Sequence, residues 1–502
     1  MGGTDGYVQE VDYTHGYCAE LAPAILDLAC VSRGISGLPA GRPLRYLELA
    51  FGQGVSVNIH AAACAGEFWG IDFNPAHAEN ARDLAQASGA GAQLSVDSFE
   101  TFAARNDVPQ FDVIALHAAW SWVSAENRRL VVDIVRRKLA PGGVFFVSYN
   151  CMPGWAAEVP LRHLMVRHAE AASPAGAGLP ARIDASLDFA RSMLDAGANF
   201  FPAHPGLEGW LADMQTRSRH YLAHEYFNRD WHPMPSAEVV EALSAAQLTF
   251  AASATLSDHV AGRGLRPEAQ ALLRGIADPG LRETTFDYLS NQRFRRDVFT
   301  RGAPAVSPAA QAARLRSIPF ALIQHPGHVP TRAALAGGEV ELPAETYAPF
   351  VAALAEDGYA PKTLGQLEAH PACRAIGFDA LVEAALMLTG IGSVHPAQAA
   401  AAIDAAAPRC KALNARILEG AALSDKVSAL ASPVIGAGVY ADRREMLFLR
   451  AIALGITSEA GWARDAARCL AADSDEQLTQ LTADARAFAR IRLPLLQALR
   501  VA

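Results

Sequence analysis

The chain has 502 residues, more than one hydrophobic core usually holds, so its length predicts several domains. Hydrophobic residues make up 51% and charged residues 19%, which excludes a mainly disordered chain. The formal net charge of −9 and the absence of basic runs argue against nucleic acid as a partner. The start lacks a basic segment followed by an apolar one, and no apolar run reaches about 18 residues, so we expect a cytoplasmic protein without membrane insertion.

Cysteine and histidine spacing gives no metal signature. The seven cysteines are scattered singly with no CxxC pair, which argues against structural zinc and against a disulfide frame. His220, His224, Glu225 and His232 have metal-compatible side chains but lack the HExxH order. We therefore expect no bound metal and assign this cluster to packing or to contacts in a substrate lid.

Strand and helix patterns alternate from Leu44 onward. The helix patterns are VSVNIHAAACA, NPAHAENARDLAQASG and SAENRRLVVDIVRRKL, and the strand patterns are LRYLEL, EFWGID, AQLSV, FDVIALH and VFFVSY. This alternation predicts an α/β fold, a doubly wound parallel sheet with helices on both faces. In such sheets the ligand lies beyond the carboxyl ends of the strands, where the turn after LRYLEL falls.

That turn reads ELAFGQG, residues 48–54. A dinucleotide fold needs G-x-G-x-x-G, and Val57 stands where the third glycine belongs, so this fingerprint is incomplete. A phosphate-binding P-loop needs a lysine after its last glycine, and none follows Gly54. Nucleotide hydrolysis is therefore not expected.

An acid stands at the end of each of the first three strands, namely Glu48, Asp72 and Asp97. Glu48 would repel a pyrophosphate but suits a ligand that carries amine and sulfonium charge. Asp72 suits a ribose diol, because both hydroxyls can donate to one carboxylate. Asp97 could accept a hydrogen bond from an adenine amino group.

The order of five motifs, ELAFGQG, GIDFNP, DSF, FDVIALH and LAPGGVFFVSYN, resembles class I S-adenosylmethionine-dependent methyltransferases. Five further stretches are similar to bacterial methyltransferases with a methyltransferase regulatory domain, a group that includes lysine methyltransferases of outer-membrane proteins: VDYTHGYCAELAP, FWGIDFNPAHAENA, HAAWSW, SYNCMPGW and HYLAHEYFNRDWHPMP. The resemblance implies a Rossmann-like fold and S-adenosyl-L-methionine as the cofactor. Ala50 departs from the family's E-x-G-x-G-x-G, where a glycine is usual.

The resemblance also implies a set of site residues. The cofactor-binding set is Glu48, Ala50, Phe51, Gly52, Gln53, Gly54, Asp72, Phe73, Asp97, Ser98 and His117. The substrate set is Tyr13, Tyr17, Trp120, Trp122, Tyr149 and Asn150, of which Tyr13 and Tyr17 fall where relatives have a lid. His117 and Tyr149 are the candidate catalytic residues. Simpler interpretations stay open: a helix cap for Asp97 or Ser98, core packing for the tryptophans, and a wall position for His117.

The resemblance suggests a protein side-chain nitrogen, that of lysine, as the methyl acceptor. Two alternatives stay open, a small-metabolite methyltransferase and a non-catalytic protein that binds the cofactor and partner proteins. The acceptor, a protein or a small molecule, is the expected partner, and a homodimer is considered as well.

We predict five domains along the chain. Residues 1–155 form the cofactor-binding core, and residues 156–234 form a helical insertion that serves as a lid or a dimer contact. Residues 235–303 complete the core sheet through a helix capped by Ser236 and strands at LTFAASA and RRDVFTRG. Residues 304–400 are winged-helix-like, and residues 401–502 are mostly amphipathic helix.

Overall fold

A computed structural model describes residues 14–39, 41–172, 176–260, 262 and 264–502. The strands of these residues are β1 (Leu44–Leu49), β2 (Gly66–Asp72), β3 (Gln93–Val96), β4 (Phe111–Leu116), β5 (Leu139–Asn150), β6 (Thr249–Ser253), β7 (Phe294–Thr300), β8 (Pro319–Leu322), β9 (Arg332–Leu335), β10 (Gly338–Glu341), β11 (Lys362–Thr363), β12 (Val394–Pro396), β13 (Ala429–Ser432) and β14 (Ala437–Tyr440).

The α-helices of the described residues are α1 (Pro23–Ser32), α2 (Val55–Ala63), α3 (Pro75–Ser88), α4 (Phe99–Ala104), α5 (Ala125–Lys138), α6 (Glu158–Ala171), α7 (Leu179–Asp195), α8 (Leu207–Thr216), α9 (Arg219–Tyr226), α10 (Ser236–Ser244), α11 (Pro267–Gly275), α12 (Pro279–Ser290), α13 (Pro308–Ser317), α14 (Ala344–Tyr359), α15 (Leu364–Ala369), α16 (Phe378–Gly390), α17 (Ala400–Ala421), α18 (Arg443–Ala453), α19 (Glu459–Leu470), α20 (Asp475–Ala487) and α21 (Leu493–Ala498). Short 3₁₀ segments and one π turn connect some of them.

The central sheet has seven strands in the order β3-β2-β1-β4-β5-β7-β6. Strands β1 to β5 are parallel, as the alternation in the sequence predicts. Their side chains alternate between two buried cores: Val144 and Phe146 of β5 belong to the core that includes α1, α2 and α3, whereas Phe145 and Val147 belong to the core that includes α4, α5 and α10. Burial on both faces explains why these strands read as continuous apolar runs. The α/β fold class is confirmed.

The last two strands of the sheet come from the segment after the insertion. β7 pairs antiparallel with β5, and β6 pairs antiparallel with β7, so the predicted strands at LTFAASA and RRDVFTRG complete the sheet. The predicted cap of α10 is wrong. Pro235 occupies the N-cap position, and the Ser236 hydroxyl instead donates a 2.6 Å hydrogen bond to Asp287.

The helical insertion has its own apolar core, which is separate from the two cores of the sheet. Helices α6 to α9 contribute leucine, isoleucine and methionine side chains, and Trp155 and Trp231 pack edge to face beneath them with 5.3 Å between ring centroids. The insertion follows β5 directly, so it stands at the carboxyl end of the parallel strands.

The C-terminal half lies against α2 and α3, on one face of the sheet. Arg409 of α17 donates to the carbonyl oxygens of Ala62 (3.2 Å) and Cys64 (3.1 Å) at the carboxyl end of α2. Strands β11, β8 and β12 form a small antiparallel sheet, and α15, α16 and β12 follow the helix, turn, helix, extended order read from the sequence. The domain boundaries stay a prediction. Among the described residues, no helix combines the length and apolarity that crossing a membrane requires.

Candidate functional site

The glycine turn joins β1 to α2 with three residues at positive φ, Ala50 (54°), Gly52 (58°) and Gly54 (73°). A Cβ on Gly54 would lie 2.3 Å from the Cβ of Ala81, so only glycine lets α2 approach α3 so closely. Ala50 holds the same left-handed conformation without the freedom of glycine, which strains the backbone by about 1 kcal/mol. Glycine therefore adopts the left-handed conformation without strain at positions 52 and 54, and alanine adopts it with strain at position 50.

Asp72, at the end of β2, anchors this turn. Its carboxylate accepts hydrogen bonds from the backbone N–H groups of Gly52 (2.9 Å, Oδ2) and Asn74 (2.9 Å, Oδ1), and Nδ1 of His77 lies 3.3 Å from Oδ1. A carboxylate has about four acceptor positions, so acceptor capacity is left for further donors. Phe73 follows Asp72 and is half-buried. The structure thus brings the second acid against the glycine turn.

Glu48, at the end of β1, is buried with a relative exposure of 4%, and its Oε2 has no hydrogen-bond partner among the described residues. Burial raises the pKa of this carboxyl group to about 8. A buried carboxylate without a partner is costly, and a cation beside it would remove the cost. Glu48 is therefore mainly a neutral carboxyl group at pH 7 in the free protein and would ionise beside a positively charged ligand.

The third acid is partly neutralised by the protein itself. Oδ2 of Asp97 accepts a hydrogen bond from the Ser95 hydroxyl (2.7 Å) and another from Arg105 (3.2 Å). Ser98 caps α4 by accepting from the backbone N–H of Thr101 at 3.1 Å, which confirms the helix-cap interpretation for this residue. The backbone N–H of Asp97 donates to the carbonyl of Asp72 (3.2 Å), so the ends of β2 and β3 are joined.

His117 follows β4 at a strained turn. Its Nδ1 lies 2.9 Å from the Ser148 hydroxyl, which also accepts from the backbone N–H of Ala118 at 2.8 Å, and Ala118 has a φ of 60°. Burial lowers the pKa of His117 to about 4, so the ring is neutral at pH 7. The Ser148 hydroxyl can donate to Nδ1 or accept from it, according to the tautomer of the ring. With a pKa this low, His117 is poorly suited to act as a base.

Two residues of the predicted substrate set, Trp120 and Tyr149, lie in the core of the sheet instead. Trp120 is 1% exposed, with its indole N–H directed at the sulfur of Met234 (3.3 Å), and Tyr149 is fully buried. The Tyr149 hydroxyl donates a 2.6 Å hydrogen bond to Asp297, and burial together with this carboxylate raises the pKa of Tyr149 well above its usual value. The cause is strand parity: Tyr149 shares the face of β5 that packs under α5 and α10. Both side chains therefore lie inside the core of the sheet and not in the predicted substrate site.

Two more predicted substrate contacts also lie elsewhere. Trp122 is 5% exposed and belongs to the core of the insertion. The Tyr17 hydroxyl accepts from the backbone N–H of Gly438 (2.8 Å) and lies 3.3 Å from Nε2 of His60, so Tyr17 joins the C-terminal half to α2 and is not part of an exposed lid. Tyr13 lies outside the described residues.

Asn150, at the end of β5, keeps a place at a cavity. The cavity has a volume of about 450 Å³ and lies between β5, the insertion and the start of β7, with Trp155, Trp210 and Glu225 among its walls. The side-chain Nδ2 of Asn150 is buried without a hydrogen-bond partner among the described residues. Phe51, Gln53 and the turn backbone are buried near the ends of β1 and β2.

Sequence reasoning missed a buried ionic network beneath this edge of the sheet. Arg295 of β7 contacts Asp297 (3.0 Å), Asp287 (2.6 Å) and Glu283 (3.2 Å), and Arg295 and the two aspartates are almost fully buried. Tyr149 is the fourth partner through Asp297. The alternation of Arg295 and Asp297 on one strand face was the available signal. In the part of the chain that the structure describes, no cluster of three or more potential metal ligands is found.

Comparison with known proteins agrees with this geometry. A family model described as "Methyltransferase domain" matches residues 47–143, and one described as "Predicted methyltransferase regulatory domain" matches residues 218–301. An uncharacterized protein of Synechocystis sp., sll1526, is 37% identical over 453 residues, which is 90% of this chain and 88% of that protein.

Solved structures share the whole architecture. PKMT2 from Rickettsia typhi in complex with AdoHcy superimposes with a TM-score of 0.70, at 15% identity, over 97% of this chain and 98% of that one. A second structure of PKMT2 gives a TM-score of 0.67 at 16% identity, over 97% and 99% of the two chains. At this identity the likeness establishes the fold.

The fold and the methyltransferase family model define an S-adenosylmethionine-dependent methyltransferase. The chain belongs to the family of methyltransferases that carry a methyltransferase regulatory domain. In this chain the regulatory segment supplies β6 and β7, so it is an integral part of the catalytic sheet.

Proposed function

We propose that this methyltransferase transfers the methyl group to a lysine side-chain nitrogen of a protein. The observation that carries the cofactor site of this proposal is the buried Glu48 at the end of β1, whose Oε2 has no hydrogen-bond partner among the described residues. The acceptor class is supported by PKMT2, a rickettsial protein lysine methyltransferase with the same whole-chain architecture.

Each acid at the edge of the sheet has a role in this proposal. Glu48 pairs with the ammonium group of the cofactor, Asp72 accepts from the ribose hydroxyls with the acceptor capacity that Gly52 and Asn74 leave free, and Asp97 meets the adenine amino group. The bound cofactor supplies an electrophilic methyl group on a sulfonium. The rest of the cofactor-binding set lines this site: Ala50, Phe51, Gly52, Gln53, Gly54, Phe73, Ser98 and His117.

The chain must also position the acceptor and exclude water, because methyl transfer is an in-line displacement that depends mainly on alignment. His117 is neutral at pH 7, so it orients an acceptor or cofactor atom through a hydrogen bond and does not carry charge into the site. Asn150 stands at the end of the neighbouring strand and contacts the acceptor. The insertion, residues 156–234, covers this edge and walls the acceptor site.

The proposal also includes where the protein acts and whether it forms a dimer. We place its activity in the cytoplasm. A homodimer contact through the insertion is the alternative role of residues 156–234. Sedimentation of the purified chain across a concentration series distinguishes a dimer from a monomer.

The experiment supplies S-adenosylmethionine with a tritiated methyl group to the purified protein together with fractionated cell lysate. We expect label in protein bands and, after acid hydrolysis, in methylated lysine. Label found only in the small-molecule fraction would favour a metabolite acceptor. Cofactor binding by calorimetry without any transfer would favour the non-catalytic alternative. Asp72→Ala is the negative control, and Glu79→Gln, an exposed change on α3, is the matched positive control.

A further inference from the structure

The cavity beside Asn150 has a composition unlike that of the cofactor site. It measures about 450 Å³, and aromatic side chains from the loop after β5 and from helices α8 and α9 make up much of its wall. These aromatic side chains are Trp155, Trp210, Tyr221 and Tyr226.

The aromatic rings form a connected set. The Tyr226 ring meets those of Trp155, Trp210 and Tyr221 edge to face, with centroid separations of 5.8, 5.7 and 6.5 Å. Rings held in this way keep fixed orientations, and an aromatic face attracts an organic cation within about 6 Å of its centroid. A wall of this kind accommodates an alkyl chain that ends in a positive charge.

The charges at the cavity leave one carboxylate without a partner. Arg217 pairs with Asp213 (2.9 Å), and Arg293 forms an ion pair with Glu158 and stacks over Trp155. Glu225 has no ion pair or hydrogen bond among the described residues. Burial raises the pKa of Glu225 to about 7, which shows that its surroundings disfavour an unpaired negative charge.

The cavity adjoins the end of β4, where the candidate catalytic histidine lies. Phe294 lines the cavity, and its ring centroid is 6.3 Å from that of His117. Asn150 lines the same cavity from the end of β5. Since the sheet order runs β1, β4, β5 and β7, the cavity lies on the β5 and β7 side of the glycine turn.

We propose that this cavity binds the side chain of the acceptor lysine, with the butyl chain against the aromatic wall, Glu225 as the counter-ion of the ammonium, and the Asn150 amide as an orienting group. The inference rests on the proposed function and assigns its acceptor site. The ammonium must lose one proton before the nitrogen lone pair can attack, and the Glu225 carboxylate takes that proton, becoming a neutral carboxyl group.

The first test uses n-butylammonium chloride as a probe of the lysine side chain and requires no turnover. The full-length protein is labelled with ¹⁵N-tryptophan and saturated with AdoHcy at pH 8. n-Butylammonium is then added stepwise while the NMR resonances of the indole N–H groups are followed. The resonance that is missing from the Trp210→Phe protein is assigned to Trp210. We expect a saturable shift of the Trp210 resonance and none at Trp120, which is in the sheet core. n-Butanol, the neutral isostere, should bind at least about tenfold more weakly. No saturable shift at Trp210, or equal binding of the two probes, overturns the proposal.

The second test compares Glu225→Gln with Glu208→Gln, an exposed change in the same insertion. We expect Glu225→Gln to weaken n-butylammonium binding at least about tenfold and to raise KM for a lysine-containing acceptor, with AdoHcy affinity unchanged. The Glu208→Gln protein should match the wild type in n-butylammonium affinity, KM and AdoHcy affinity. If wild-type protein methylates no lysine, the proposed function fails; if it does and Glu225→Gln keeps the wild-type affinity and KM, the acceptor site alone is wrong.

Discussion

Two groups of buried acids lie at the same edge of the sheet, and the protein treats them differently. On the β1 side, Glu48 keeps a carboxylate oxygen without a partner. On the β5 and β7 side, Asp297 is held by both Arg295 and Tyr149. A buried charge is costly unless it is paired, so a paired acid stays ionised, whereas an unpaired one stays protonated until a cationic ligand lies beside it. The difference separates the cofactor site from the scaffold that supports it.

Breaking the paired side should give the largest effect. Arg295→Met leaves Asp287 and Asp297 buried without their cation, so we expect a loss of about 3–5 kcal/mol in the free energy of unfolding. The urea-denaturation midpoint measures it. Arg296→Met, at the next position of β7, removes a partly exposed pair with Glu20 and should cost about 1 kcal/mol or less. Equal losses in the two variants would contradict a structural network around Arg295.

On the ligand side, Asp72→Ala should weaken AdoHcy binding about 100-fold, or about 3 kcal/mol, because it removes the ribose acceptor and releases the N–H of Gly52. Isothermal titration calorimetry gives the affinity. Glu79→Gln should bind like the wild type. An unchanged affinity in Asp72→Ala would remove this carboxylate from the cofactor site.

Tyr149→Phe tests whether the ionic network around Arg295 takes part in methyl transfer. Loss of the hydrogen bond to Asp297 should destabilise the fold by about 2 kcal/mol while kcat stays within about twofold of the wild type. Thermal melts and steady-state methyl transfer measure the two quantities. A large loss of kcat in a stably folded variant would return Tyr149 to the reaction.

Glu48→Gln should weaken AdoHcy binding about tenfold, equivalent to about 1.4 kcal/mol. The pKa of Glu48 is about 8, so its carboxyl group is protonated at pH 6.5 and must ionise to face the ligand's ammonium. Wild-type protein should therefore release about one proton on binding at pH 6.5, and its affinity should rise with pH toward 8. Calorimetry in buffers of different ionisation enthalpy measures the proton. Equal proton release by Glu48→Gln would assign the titration to another group.

The smallest effect is expected from Ala50→Gly. The φ of 54° at Ala50 suits glycine, so the change should stabilise the protein by about 1 kcal/mol or less. Ala405→Gly, at an exposed position inside α17, should instead destabilise it by about 1 kcal/mol. The thermal midpoint records the sign. A loss of stability in both variants would show that Ala50 is not strained.

Local patterns were sufficient for the sheet and for the acids beside the turn. The parallel strands were recognisable as short strand patterns between helix patterns, and Glu48, Asp72 and Asp97 stand at or beside the ends of the first three. With the family resemblance, β6 and β7 were also predicted, although they begin about 100 and about 140 residues after the end of β5. The edge of a parallel sheet collects strand ends, so sequence position alone placed the acids together.

The residues that surround the proposed acceptor site could not be predicted from local patterns. Trp120, Trp122 and Tyr149 all follow or end strands, yet their faces depend on the register and on the helices above them. Tyr17 precedes the first strand, but its hydroxyl meets Gly438, which is more than 400 residues away. Glu225 gained its importance in part from Trp155 and Trp210, which belong to other segments of the chain. Such contacts carry no short-range signal.

The sequence by itself determined the alternating fold, the strained glycine turn and the three acids that follow the first three strands, because all of these depend on local periodicity and backbone freedom. Only the tertiary structure decided which acid is left without a partner, which aromatic residues are buried in the core and which surround a cavity. Pairing and burial are properties of neighbours in space, and the same Asp or Trp becomes scaffold or binding site according to what the fold places against it.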